Sequence, residues 1–207
     1  DQQGVATISI NVMDGFSTNS QKFVLTVTPA LGLIFADNFS YDDGSLLFYP
    51  PWSTSSGDIG TMLVTNGTVQ LSQAFTEDMN SGTGFAGGAP FAPSSGVVLY
   101  AGFTINAAQL PSNAGDYFAH FKDSSTGFRA RIFTSRANAA SGHFRIGIAN
   151  SANVVSGEVA TDLATNTSYQ IVSRYNAATG ESVVWVNPAS LMSLFSVDRS
   201  GSAAMTS

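Results

Sequence analysis

Two sets of side chains in this sequence have the types and spacing to do chemistry. The first is cationic: His120 and Lys122, Arg129 and Arg131, His143 and Arg145, then Arg174, each set among apolar residues at a spacing of two. Five of the eight Lys and Arg residues and both histidines fall within this run. Guanidinium groups present planar paired donors that suit carboxylates and sulfates, and aromatic rings stack on sugars. Tyr100, His120, Arg129, Arg131, His143, Arg145 and Arg174 are therefore the candidate ligand-binding set, matched to a glycan and best to an acidic one. The competing reading is that they are ordinary solvent-facing strand residues pairing with Asp and Glu. The second set is Asp37, Asp42 and Asp43, three carboxylates in one turn. Calcium takes six to eight oxygen ligands, often carboxylates with backbone carbonyls, so these three are the candidate metal ligands. A solvated turn with Asp and Gly in their usual roles is the competing reading.

The elements that must position the cations are strands. Residues 97–105, 117–122, 128–133, 143–148 and 171–175 mostly alternate apolar and polar side chains with period two, the pattern of a strand with one face on a core. If they pair in one antiparallel sheet, the cations share a face. Asn66 and Gly67 predict a hairpin turn between 62–64 and 69–71, and 176–180 predict another between 171–175 and 182–186. Leu33, Ile34 and Phe35 are expected to open a strand, and residues 75–95 form a Gly- and Ser-rich loop. Helical periodicity is scarce, with 188–194 the best short candidate. Ahead of these, residues 5–12 and 23–27 alternate around a turn at Asp14 and Gly15, which predicts an N-terminal β-hairpin in residues 1–29, followed by a linker at 29–32. Two strands cannot bury a core alone.

Composition narrows the function classes. The chain has 207 residues, enough for one large all-β domain with a self-sufficient core. Charged residues are 11%, against the roughly 25% usual for soluble domains. Solubility then rests on Ser, Thr, Asn and Gly. The net charge of -6 argues against nucleic-acid binding. With no cysteine there is no disulfide or thiolate metal site, and no apolar run is long enough to insert into a membrane. Gly-x-Ser-x-Gly and His-Glu-x-x-His are both absent, so no catalytic machinery is legible and the chain reads as a non-enzyme. Trp52 and Trp185 each read first as core and second as a sugar platform.

Several stretches carry a family resemblance. GVATISINVMDGFSTNSQKFVLTVTP resembles the last two strands of cadherin-like or immunoglobulin-like repeats of large bacterial surface proteins. DNFSYDDGSL, YFAHFKD, FRIGIAN and SRYNAATGESVVWVNP resemble the laminin-G-like modules of such proteins, members of the concanavalin A-like lectin and glucanase superfamily. The resemblance spans 33–207. It implies an antiparallel two-sheet jelly-roll sandwich, often with a structural calcium. It also implies one or two strands after the WVNP hairpin, so the domain is expected to stop short of its closing strand at 203–207. The Glu-x-Asp-x-x-Glu run of the glucanases is missing. The expected function is a carbohydrate-binding or adhesion module of a larger secreted or cell-surface protein. The alternatives are a structural spacer or strand-donating assembly module, self-associating through the N-terminal hairpin, and a polysaccharide lyase using Tyr100, His120 and Arg129.

Overall fold

A computed structural model describes residues 4–13, 18–27, 33–81, 91, 96–122 and 127–200. The Asp14 and Gly15 turn, the 29–32 linker, most of the loop after residue 81 and the 203–207 tail lie outside the described residues. The molecule is all-β and antiparallel, and it divides into two compact units, Asp1–Ala86 and Gly87–Ser207. Among the described residues no helix is long and apolar enough to cross a membrane.

In the N-terminal unit, β1 (Gly4–Met13) pairs antiparallel with β2 (Thr18–Val27) in perfect register from Gly4 opposite Val27 to Met13 opposite Thr18. Residues 33–35, expected to open a strand, carry none. Instead the ladders are short. β3 (Gly44–Ser45), β5 (Leu63–Thr65) and β6 (Thr68–Gln70) form one sheet, and β4 (Trp52–Ser56) pairs with β7 (Asp78–Ser81) in another. A 3₁₀ turn, Leu46–Phe48, follows β3, with the Ser45 hydroxyl accepting from Leu47 N. The Asn66 and Gly67 turn holds as read: both residues have positive φ, 50° and 69°, which is the twist a two-residue hairpin needs.

The C-terminal unit is a two-sheet sandwich. One sheet has the order β12-β11-β10-β9, from β9 (Asp116–Lys122), β10 (Phe128–Ser135), β11 (Arg145–Ala149) and β12 (Gly157–Glu158). The other has the order β15-β14-β13-β8, from β8 (Val98–Asn106), β13 (Ser168–Asn176), β14 (Ser182–Val186) and β15 (Phe195–Asp198). The chain thus crosses between the sheets after β8 and again after β12. β10 and β11 face β13 and β14, and the core lies between them: Ala130, Ile132, Phe144, Ile146, Ile148, Ile171, Tyr175 and Val184. Burying each aliphatic side chain of this size contributes about 1.5–3 kcal/mol.

Residues 188–194 form turns in place of the expected short helix. The Ser193 hydroxyl accepts from Ala189 N and Ser190 N, giving those donors a partner that competes with a helical ladder.

Candidate functional site

The expected single cationic face is divided between the two sheets. Tyr100 on β8 lies directly opposite Arg174 on β13. His120, Arg129, Arg131 and Arg145 belong to β9, β10 and β11 of the other sheet, and His143 stands just before Phe144, which bridges to Leu163. Alternation within each strand was read correctly, but which sheet a strand joins is a long-range choice that alternation does not encode.

Most of these cations are also committed to the fold. Arg131 is only 4% exposed. Its Nη1 donates to the carbonyls of Ser151 and Ala152 at 3.2 and 3.1 Å and to Asn153 Oδ1. Its guanidinium carbon lies 4.1 Å from the Phe128 ring centre and 4.7 Å from that of Tyr117. The segment after β11 therefore folds back over its own sheet, and Val155 sits on Gly147, where an added Cβ would come within 2.6 Å of the valine. Arg129, also buried, donates to Phe128 O at 2.8 Å. His120 packs edge-on against Phe128 and Tyr117. Arg145 pairs with Asp162 at 2.7 Å and holds that carboxyl below its ordinary range. His143 Nδ1 lies 3.0 Å from Ser141 O. Arg174 and Arg199 share the carboxylate of Glu181. Tyr100, 53% exposed, is the member of the set that faces solvent most openly.

Trp185 takes the core role. It is 3% exposed, with Arg174 and Phe195 beside its ring, and its Nε1 is buried with no hydrogen-bond partner among the described residues.

Trp52 has a different setting. Residues 37–41 make a tight turn: Phe39 N donates to Asp37 Oδ1 at 2.7 Å, Ser40 N to Asn38 Oδ1 at 3.2 Å, and Tyr41 N to Phe39 O at 2.7 Å. Phe39 occupies the left-handed region, φ 54°, a strained place for an aromatic residue. The turn carries Asp37 Oδ2 to the Tyr41 hydroxyl at 2.7 Å and to Trp52 Nε1 at 2.6 Å. Phe35 and Phe39 pack against the indole at ring separations of 5.8 and 5.7 Å, and Tyr41 stacks on Tyr49 at 4.3 Å. Beside this cluster opens a cleft lined by Phe35, Ala36, Asp37, Asn38, Tyr41 and Pro51. Desolvation pushes the Asp37 carboxyl up, but the Trp52, Phe39 and Tyr41 donors outweigh it and hold it below the ordinary carboxylate range. The same bond raises the Tyr41 phenol. At neutral pH Asp37 is an anchored, acceptor-only group.

The three aspartates of the expected calcium set are engaged within the chain in different ways. Both Asp37 oxygens face donor hydrogens, Asp43 Oδ1 accepts from Asn66 N at 2.8 Å, and Asp42 offers its backbone carbonyl to the Tyr49 hydroxyl. A cation needs several oxygen lone pairs directed at one point. Among the described residues no three His, Cys, Asp or Glu gather in that way.

Two further polar centres stand apart from these sets: Glu77, which with Asp78 read in the sequence as a poorer calcium candidate than the Asp37 turn, and Asn150, which the sequence reading did not single out. Glu77, 8% exposed, accepts from Gly60 N, Met62 N and the Thr54 hydroxyl at 2.8, 2.6 and 2.8 Å. Burial raises its pKa, the backbone amides lower it more, and the result lies below the ordinary value. Asn150 ends the FRIGIAN segment with no exposed surface. Its backbone N donates to Asp198 Oδ2 at 2.7 Å, its Nδ2 to Gly180 O at 2.6 Å, and its Oδ1 accepts from the Ser182 hydroxyl. It ties one sheet to the other. A polar residue closing an apolar alternation was the available signal.

Comparison with family models, curated protein sequences and solved structures found no match for the chain.

Proposed function

We propose that this chain is a carbohydrate-binding or adhesion module of a larger secreted or cell-surface protein, with ligand contact at the Asp37 cleft rather than on the cationic strands. The observation that carries this reading is the cleft itself: Phe35 and Tyr41 rings beside an ionised carboxylate and the exposed Asn38 amide. A sugar presents an apolar C–H face together with hydroxyl donors, and rings flanked by a few fixed polar groups match both. No Lys or Arg lines the cleft. The ligand class is therefore a neutral glycan, since an anionic one would meet Asp37 at close range.

A spacer role is the second reading, and one observation favours it: Arg131, Arg145, Arg174 and Arg199 all serve internal contacts. A lyase has less support, because Tyr100 lies on a different sheet from His120 and Arg129.

A glycan array carrying neutral and acidic sugars separates the readings, followed by titration of the best hit with Trp emission as the signal. Binding to neutral sugars, lost in Asn38→Ala with the fold intact, is the expected result. A protein that binds no glycan on the array is a spacer, and one that binds only acidic glycans with Asn38→Ala unaffected rules out the cleft.

A further inference from the structure

Asn150, Ser182 and Asp198 form a polar node between the two sheets of the sandwich. Asn150 stands one residue beyond β11, Ser182 opens β14, and Asp198 ends β15, directly opposite Ser182 in the ladder. Asn150 and Ser182 have no exposed surface, and Asp198 is 5% exposed.

The Asn150 carboxamide is held at both ends. Its Nδ2 donates to Gly180 O at 2.6 Å and to Asp198 O at 3.4 Å, which fixes the plane of the amide. Its Oδ1 accepts from the Ser182 hydroxyl and from Ala130 N at 3.4 Å. The second of these donors strains the chain. Ala130 lies inside β10 where the register against β9 shifts, and its φ of 49° is left-handed, an unfavourable place for a residue with a Cβ. Strain of this kind collects at sites that use it. Here it aims a backbone N–H at a side-chain carbonyl oxygen, the arrangement that stabilises negative charge developing there. Desolvation pushes the Asp198 carboxyl up, but the Ser200 and Asn150 donors outweigh it and keep the group ionised at neutral pH. A hydroxyl, a polarised carbonyl and a carboxylate beside them are the parts of an acyl transfer.

We propose that Asn150 and Ser182 join as an intramolecular ester, a covalent staple between the two sheets. Ser182 Oγ forms a bond to Asn150 Cγ, and the Cγ–Nδ2 bond breaks. The hydroxyl proton passes by way of the Asp198 carboxylate to the departing nitrogen, which leaves as ammonia. Oδ1 carries the negative charge in between and receives the Ala130 N–H. No oxidant or second reactant enters. An amide in water resists an alcohol, and the fixed contact between the Ser182 hydroxyl and the carboxamide supplies the proximity that overcomes this. The buried node then shields the ester from hydrolysis. The chain has no cysteine, so a disulfide cannot play this part. The proposal is independent of the glycan reading.

Mass spectrometry of the full chain tests it. The intact protein should weigh less than its sequence by one ammonia, about 17 Da, and Ser182→Ala should carry its full sequence mass. After denaturation and trypsin, the peptides 146–174 and 175–199 of the wild type should stay joined. Mild alkali, which hydrolyses esters and spares amides, should part them. A wild type at its sequence mass overturns the proposal. So does a deficit that persists in Ser182→Ala, which would place the lost ammonia elsewhere, as in a succinimide at Asn66 and Gly67. The peptide result needs no variant, so it decides the matter even if Ser182→Ala fails to fold: separate peptides sink the idea, and peptides joined through Asn150 and Ser182 uphold it.

Discussion

Among the described side chains of residues 33–81 the buried apolar ones are Leu46 and Val64, whereas the C-terminal unit encloses Phe144, Ile146, Ile148, Ile171 and Tyr175 with no exposed surface. Within residues 33–81 two carboxylates gather the chain: Asp37 draws in residues 39, 41 and 52, and Glu77 draws in 54, 60 and 62. In the C-terminal unit, hydrocarbon does most of the work and polar groups close the margins, as Asn150 does between β11, β14 and β15. The strands β3 to β7, two to five residues long, bury little surface of their own, and there the charge-assisted hydrogen bonds of Asp37 and Glu77 hold neighbouring segments together. The difference also bears on function. Phe35, Tyr41 and Asn38 line an open cleft, while Arg129 and Arg131 are buried against their own sheet.

Core truncation in the sandwich should produce the largest effect. Ile148→Ala is expected to cost about 3–4 kcal/mol in urea denaturation. A loss under about 1 kcal/mol would remove the contrast between the units.

Next comes Glu77→Gln, expected at about 2 kcal/mol, because the amide group turns donors toward Gly60 N or Met62 N. Its pH dependence sharpens the point. Glu77 and Asp37 have folded pKa values below their unfolded ones. Between the two values the unfolded chain binds more protons, so the stabilisation is complete above the ordinary carboxylate range and is lost as pH falls through the folded pKa. Acid titration of stability should be flatter in Glu77→Gln than in wild type, and an unchanged slope would refute this. Asp198, held low by Ser200 and Asn150 against its desolvation, adds an acid-sensitive contribution from the other unit.

Tyr41→Phe keeps the ring and removes the hydroxyl bonded to Asp37. The loss of stability should be smaller than that of Glu77→Gln, with the Asp37 carboxyl rising toward its ordinary value in an NMR titration. Smallest of all should be Arg145→Met. Its pair with Asp162 is partly exposed, and the cost should stay below about 1 kcal/mol by thermal melting. A larger value would mean that the cations carry more of the sandwich than its core suggests.

Much of the fold was legible because its signals are local. Alternation found β8, β9, β10, β11, β13 and β14 to within a few residues, and the Asn66 and Gly67 turn follows from the backbone those two residues tolerate. The site was less legible. Asp37 was visible as a carboxylate in a turn, but its partners Tyr41 and Trp52 lie 4 and 15 residues away, and only folding makes them donors to one oxygen.

The amino-acid order alone determined an all-β chain with period-two strands, sharp turns and a cationic run of alternating side chains, since each depends on residues within a few positions of one another. Tertiary structure decided that Tyr100 and Arg174 part from the other members of the set, that Arg131 serves a loop, and that Asp37 collects donors from residues 39, 41 and 52. Those outcomes depend on which strands pair and what folds back over them, and a strand's sequence specifies its own two faces without specifying its neighbours.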